Sequence, residues 1–350
     1  MCRIRHERQK GEKMRIAVMG AGSLGTILGA FISKAGYDTV LIDPYQAHVD
    51  KLNQDGAHVM GTVNFVQKVK AITPEEMEGI YDLIIYMAKQ TYNDTAIPRI
   101  KEHIDENSVV CVCQNGIPEY AVSKHIGKER VVGAPVGWGA TFRGPGCSEL
   151  TSGKERLAFT MGSLEGPVNH RVKLAKKVLE SMCAVEVSEN LLGLRWTKLL
   201  MNATFSGLST ALGTTFGGVL DDDVAMRLIL KIGHECLEAA IAAGVTMEPY
   251  EGYDFYEAFQ MGDEKTDCKS IALIRKIWAP HHGLTASMAQ DLMKGRKCEI
   301  FDINGVVCET GEQYGAPTPV NDQVVKIVSG IQEGTYRYNP ENMKYFRKFV

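Results

Sequence analysis

The stretch GAGSLG at residues 20–25 constrains the fold of this chain more than any other feature. It ends an apolar run, MRIAVMG, and opens an apolar-periodic one, SLGTILGAFISKAG, closed by Gly36. A strand that runs through a glycine turn into a helix is the first half of a dinucleotide-binding βαβ unit. In that geometry Gly20 permits the tight turn, Gly22 lets a pyrophosphate approach the backbone, and Gly25 lets helix and strand pack. The amides of Ser23 and Leu24, at the positive end of the helix dipole, offer donors to the phosphates. A second strand, DTVLID, ends at Asp43, 18 residues after Gly25. A carboxylate there accepts both hydroxyls of an adenosine ribose and repels a 2′-phosphate. NAD is therefore the preferred cofactor, with NADP the second choice. The glycine pattern alone is weak; its placement between strand and helix, with the acid in register, makes it specific.

The following segments repeat the alternation. Strands are predicted at 82–88, 108–114 and 130–137, then antiparallel strands over 140–162, a helix over about 168–182 and a strand CAVEVSE. Strands alternating with helices make a doubly wound, mainly parallel sheet. After Glu189 the period becomes helical, with helices predicted over about 190–212, 221–243, 268–294, 298–314 and 320–332. The expected architecture is an α/β Rossmann domain over 14–189 followed by a mostly α-helical domain over 190–350. Residues 1–13 are basic, lack the apolar stretch of a secretory signal, and read as a disordered extension.

Composition excludes several function classes. Across 350 residues, 45% are hydrophobic and 23% charged, as in an ordinary globular protein. A net charge of −3 offers no general attraction to nucleic acid or an anionic membrane. No apolar run reaches the roughly 18 residues of a spanning helix. The nine cysteines form no CxxC pair, and Cys111 and Cys113 alternate within an apolar strand as buried thiols do, which fits a reducing cytoplasm. No metal is expected, because the adjacent His281 and His282 match no ligand spacing.

The helical half carries the second constellation. In LRWTKLLMNA, residues 194–203, Lys198 interrupts an apolar helix and Asn202 follows one turn later on the same face. A lysine in such a run either snorkels to water or serves as a proton donor aimed into a cleft. Further on, Ser287 and Asp291 share a face, and Glu299 falls in the first turn of the helix predicted from 298, with Asp302 three residues on. Each has a bland reading: a capping hydroxyl for Ser287, a favourable N-terminal carboxylate for Glu299. Together they suit carbonyl reduction, which builds negative charge on oxygen and needs a positioned donor. Asn115 and Ser287 are eligible donors to a substrate carboxylate.

With the glycine loop, WTKLLMN and CEIFDING in order along one chain, the sequence resembles the ketopantoate reductase family from Met14 to about residue 332. MAKQ around Lys89 and QNG at 114–116 add to the likeness. The family implies reduction of ketopantoate to pantoate by NAD(P)H, in pantothenate and coenzyme A biosynthesis. By its motifs Lys198 is the proton donor, and Glu299 supports it or binds substrate. Asn202 and Ser287 hold substrate, Asn115 lies near the nicotinamide, and Lys89 sits by the cofactor or substrate carboxylate. A small 2-oxo acid is the expected partner, and a homodimer the expected assembly.

Three positions depart from the family pattern. Asp43 in DPYQ stands where an arginine usually meets the 2′-phosphate of NADP. Ser206 stands where a second asparagine commonly follows the lysine by eight residues, leaving a serine as the substrate contact. Phe216 occupies the place of a further asparagine. An NAD-dependent D-2-hydroxyacid dehydrogenase acting on branched or aromatic 2-oxo acids is the alternative enzyme. A non-catalytic dinucleotide sensor needs neither Lys198 nor Glu299. The acid- and aromatic-rich segment 248–270 has no functional reading beyond a lid or dimer contact.

Overall fold

The computed structural model describes residues 13–164, 166 and 168–350. The extension expected over residues 1–13 therefore lies outside the described residues up to residue 12. By internal contacts the chain divides into two units. One runs to Gln114 and resumes over Glu119–Glu189; the other comprises Asn115–Pro118 and Asn190–Val350.

In the first unit the order is β1 (Arg15–Met19), α1 (Ser23–Lys34), β2 (Asp38–Ile42), α2 (Gln46–Asp55), β3 (Ala57–Gly61), β4 (Phe65–Gln67), β5 (Lys70–Ile72) and β6 (Leu83–Tyr86). Then come α3 (Asn93–Glu102), β7 (Val109–Val112), α4 (Pro118–Ile126), β8 (Val131–Gly133), β9 (Ala140–Gly144), β10 (Cys147–Leu150), β11 (Ala158–Ser163), α5 (His170–Leu179) and β12 (Ala184–Val187). Among the described residues the main sheet has eight strands in the order β12-β11-β8-β7-β6-β1-β2-β5. Every pairing in it is parallel except β11 with β8. The chain winds from β1 outward through β2 in one direction and from β6 outward in the other. The switch between β1 and β6 opens a crevice at their carboxyl ends, where such sheets bind ligands.

Both faces of this sheet are covered, and the sequence explains how. In β1, Ile16 and Val18 enter one apolar cluster while Ala17 and Met19 enter another. The same alternation holds in β6, where Leu83 and Ile85 face one side and Ile84 and Tyr86 the other. Unbroken apolar runs of this kind suit strands buried on both faces. Cys111 and Cys113 are buried and form no disulfide.

Some expectations need correction. Residues 57–72 hold three short strands that the sequence reading did not include. β9 and β10 do form an antiparallel pair, but they join β3 and β4 in a separate four-stranded sheet, whereas β11 belongs to the main one. The strand expected over 130–137 stops at Gly133, because Pro135 cannot donate to the ladder.

The second unit is helical: α6 (Leu191–Met201), a π-helical segment (Asn202–Gly207), α7 (Leu208–Ala211), α8 (Phe216–Leu220), α9 (Asp223–Ala242), α10 (Phe255–Ala258), α11 (Glu264–Trp278), α12 (Ser287–Met293), α13 (Asn304–Tyr314) and α14 (Pro319–Gln332). It packs around one apolar cluster that includes Trp196, Phe205, Phe255, Phe259 and Trp278. The helix expected over 268–294 is two helices, separated at Pro280 and Gly283, and the first begins four residues earlier than expected, at Glu264. The one expected from 298 starts at Asn304. The acid- and aromatic-rich segment now has a structural account. Asp254 and Asp263 cap α10 and α11 through Tyr256 N and Thr266 N. Phe255 stacks on Trp278 at 5.8 Å, and Phe259 meets it edge-on.

Candidate active site

In the first unit the candidate dinucleotide site lies at the carboxyl ends of β1 and β6. Gly20 has φ +98°, and a Cβ there would run into the backbone of Ala88. A Cβ on Gly25 would meet the Gly20 carbonyl. A Cβ on Gly22, by contrast, would meet no heavy atom within 4 Å. Packing thus explains two of the glycines, and the third leaves open space beside the helix N-terminus. Gly22 caps α1 with no side-chain acceptor, and no acid occupies the first turn. Those features fit a pyrophosphate bound to the amides of Gly22, Ser23 and Leu24.

The turn is braced from behind by a residue that the sequence reading did not single out for this. Gly146 N donates to His48 Nδ1 at 2.9 Å, so Nε2 carries the proton and donates to the Ala21 carbonyl at 2.8 Å. Thr26 Oγ1 donates to the same carbonyl at 2.6 Å. Asp43 follows β2 half-buried, accepts from Tyr45 N at 3.0 Å, and has its pKa raised by burial. Lys51 is engaged by Asp55 at 2.7 Å on the exposed side of α2.

Lys89 lies half-buried in the loop after β6. That loop is tied down by Gln114, whose Nε2 donates to the Ala88 carbonyl at 2.6 Å and to Asn93 Oδ1 at 3.1 Å. Tyr86 donates to the same Asn93 oxygen at 2.6 Å. Gln114 was visible in the QNG motif; Asn93 gave no sequence signal.

In the second unit, α6 buries most of its residues; Leu192 is half-exposed on one side, while Leu194, Lys198 and Met201, with Asn202 just beyond the helix, form a half-exposed stripe on another. Their spacing of four, three and one residues places them on one helical face. Lys198 lies in the last turn of α6, just before the backbone passes into the π-helical segment. Asn202 opens the π-helical segment, a feature frequent at functional sites. Ser206 is only 8% exposed, and Phe216, 9% exposed, packs its ring on Phe205.

Ser287 is exposed at the first position of α12, and Asp291, one turn later, is buried. Glu299 is 7% exposed. It does not sit in a first helical turn as expected: residues 296–299 are irregular and 300–303 form turns before α13 begins. Cys298 N donates to Gln332 Oε1 at 2.6 Å, which holds this segment off the helical path. Helices α12 and α13, on either side of Glu299, both pack on the π-helical segment. The segment opened by Asn202 is thus packed against the helix that Ser287 begins and against the helix that follows the Glu299 loop. Asn115 is half-buried ahead of Gly116 (φ +76°), in a four-residue excursion whose Ile117 joins the helical core.

Asp302 is electrostatically coupled to this loop. Its carboxyl is raised from 3.8 to about 6, first by burial and then by the charge of Glu299. The folded chain then holds a proton that the unfolded chain has released, so stability falls as pH rises from about 4 through about 6. Asp302→Asn is expected to flatten that part of a plot of unfolding midpoint against pH. An unchanged slope would assign it to another group.

A parallel sheet with an open glycine turn, joined in one chain to a helical unit bearing a half-buried lysine, defines a nicotinamide-dinucleotide oxidoreductase. Comparison with known proteins narrows the class. Residues 16–165 match Ketopantoate reductase PanE/ApbA and residues 190–332 match Ketopantoate reductase PanE/ApbA C terminal. The chain belongs to the ketopantoate reductase family and is an NAD(P)-dependent 2-oxo acid reductase. The 2-dehydropantoate 2-reductase of Lactococcus lactis subsp. lactis is 29% identical over 333 residues, covering 91% of this chain and 98% of that one. A ketopantoate reductase structure from Ralstonia eutropha JMP134 is 25% identical with a TM-score of 0.76, covering 92% of this chain and 99% of the other. A D-mandelate dehydrogenase solved with NADH and anilino(oxo)acetate shares the fold, with a TM-score of 0.77 at 23% identity and the same coverage. No helix among the described residues is long and apolar enough to cross a membrane.

Proposed function

We propose that the protein reduces the C2 carbonyl of ketopantoate to give pantoate, preferring NADH, in the cytoplasmic synthesis of pantothenate and coenzyme A. The observation that carries this reading is the half-buried Lys198 in a mostly buried apolar helix, with Asn202 one turn further on and also half-buried. When bound, the reduced nicotinamide supplies a hydride to the carbonyl carbon. Lys198 delivers a proton to the carbonyl oxygen as charge builds there. Glu299 orients the ammonium of Lys198, and Asn202 and Ser287 hydrogen-bond the substrate. Asn115 and Lys89 act nearer the nicotinamide and the substrate carboxylate. Ser206 is the least accessible of the proposed substrate contacts. The Gly20–Gly25 turn receives the pyrophosphate and Asp43 the adenosine ribose. A homodimer completes the reading; a fold neighbour, the ketopantoate reductase of Staphylococcus aureus, is called dimeric. Sedimentation of the purified protein tests that point.

Substrate choice follows from the same residues. A site that hydrogen-bonds a substrate hydroxyl rejects analogues lacking it, because its own polar groups are left unpaired. Here Asn202 remains, while Ser206 and Phe216 are buried in the helical core. Ketopantoate is expected to be reduced, and hydroxyl-free 2-oxo acids such as 2-oxoisovalerate to be accepted too. A side-by-side comparison of kcat/KM checks this, and strict rejection of every hydroxyl-free acid contradicts it. Activity on aromatic or branched 2-oxo acids with none on ketopantoate supports the second reading, a D-2-hydroxyacid dehydrogenase. Phe216 in place of an asparagine is the feature that favours it.

A further inference from the structure

A buried polar chain runs through the helical unit to the turn that carries Asn202. It starts at Glu235 on α9, 9% exposed, whose carboxylate accepts from the first amides of α14: Val320 N on Oε1 and Asn321 N on Oε2, both at 2.9 Å. Anionic oxygens at a helix N-terminus satisfy donors that have no partner within the helix. Asn321, fully buried, donates its Nδ2 to Glu235 Oε2 at 2.8 Å and to the Ile232 carbonyl at 3.2 Å. Its Oδ1 therefore faces onward, and accepts from Asn304 Nδ2 at 2.9 Å. Asn304, also fully buried, donates from the same nitrogen to the carbonyl of Ala203 at 3.0 Å. Both neighbours of that nitrogen are acceptors, so the orientation of the carboxamide is set by its partners.

Ala203 is the residue after Asn202 and lies inside the π-helical segment. Such a segment interrupts the i to i+4 ladder and survives where side chains attend to the displaced carbonyls. Three do so here. Thr204 Oγ1 donates to Leu200 O at 2.8 Å and to Met201 O at 3.1 Å, and Thr210 Oγ1 donates to Ser206 O at 2.7 Å. Asn304 is the third, and the one that comes from a different helix. Gly207 makes room for it: a Cβ there would lie 2.5 Å from Asn304 Oδ1 and 2.9 Å from Nδ2.

We propose that Glu235, Asn321 and Asn304 are positioning residues, which hold the π-helical turn through the Ala203 carbonyl and so set the placement of Asn202 and Lys198. The proposal rests on the reading of Lys198 as proton donor. Its physical basis is that well-oriented reaction is sensitive to displacements of about 1 Å, which cost up to about a hundredfold in rate. Four helices (α9, α13, α14 and the one continued by the π turn) are tied by this chain, and only the last carries the reacting group.

The test is Asn304→Ala in the full-length protein. It is read by kcat and KM for ketopantoate with NADH, by NADH affinity from fluorescence, and by thermal unfolding. The expected result is a kcat lowered about tenfold or more, with KM and NADH affinity each within about threefold, in protein that still unfolds cooperatively. Combined with Lys198→Met, the substitution is expected to add no further loss, because it acts through the placement of that lysine. A normal kcat with only a lowered unfolding midpoint overturns the proposal, and so does a fully multiplicative loss in the double variant. If Asn304→Ala fails to fold, Gly207→Ala presses the same carboxamide while keeping every hydrogen-bonding residue, and the same outcomes decide. Normal turnover in Lys198→Met alone marks failure of the parent reading, whereas failure of the positioning chain appears only in the Asn304 and Gly207 variants.

Discussion

Lys198→Met is expected to lower kcat by about a hundredfold or more while leaving dinucleotide affinity within about threefold. That loss is the ordinary scale of general acid catalysis and corresponds to about 2.7 kcal/mol of transition-state stabilisation. Methionine keeps the length and apolar stem of the lysine, so the partly buried stripe of α6 loses little packing. The proton donor alone is removed. A folded Lys198→Met protein with near-normal turnover would return Lys198 to the role of a snorkelling surface lysine. Glu299→Gln is expected to be milder than Lys198→Met, because an amide of the same shape still occupies the loop and can still accept a hydrogen bond.

NADH is expected to be preferred over NADPH by tenfold or more in kcat/KM, about 1.4 kcal/mol or greater. The carboxylate of Asp43 offers acceptors for two ribose hydroxyls and repels a 2′-phosphate. Cations nearby in the sequence do not offset it. His48 is buried with both ring nitrogens engaged by Gly146 N and the Ala21 carbonyl, and Lys51 is paired with Asp55. Steady-state assays with both nucleotides check this directly, and a preference for NADPH would mean that Asp43 does not face the ribose.

The fold was legible in the sequence where one signal served several levels at once. The glycine turn, the apolar runs of β1, β6 and β7 and Asp43 all point to one parallel sheet with its crevice after β1. The small second sheet was not legible, because β3 (AHVMG) and β4 (FVQ) are short and half-exposed and carry little alternation. The helix expected over 268–294 failed for another reason: apolar periodicity continues past Trp278, but Pro280 and Gly283 end the backbone ladder.

The site follows the same division. Lys198, Asn202, Ser287 and Glu299 stand out as candidates from motif and spacing, because chemistry limits the residue types that serve carbonyl reduction. The π-helical turn beneath Asn202 was invisible, since one extra residue in a turn leaves the apolar pattern of 190–212 almost unchanged. Glu235, Asn321 and Asn304 are far apart in sequence and become a unit only when α9, α13 and α14 pack. Glu299 was assigned to a helix because a carboxylate shortly before an apolar run reads as an N-terminal residue. The contact of Cys298 N with Gln332, 34 residues away, decides otherwise.

The most direct test of the account is the reduction of ketopantoate by the purified wild-type protein and by Lys198→Met, following loss of the reduced nicotinamide with NADH and with NADPH. The account predicts turnover by the wild type, faster with NADH, and its near disappearance in the variant. Absence of reduction of ketopantoate and of every other 2-oxo acid tried, with either nucleotide and in folded protein, would contradict it.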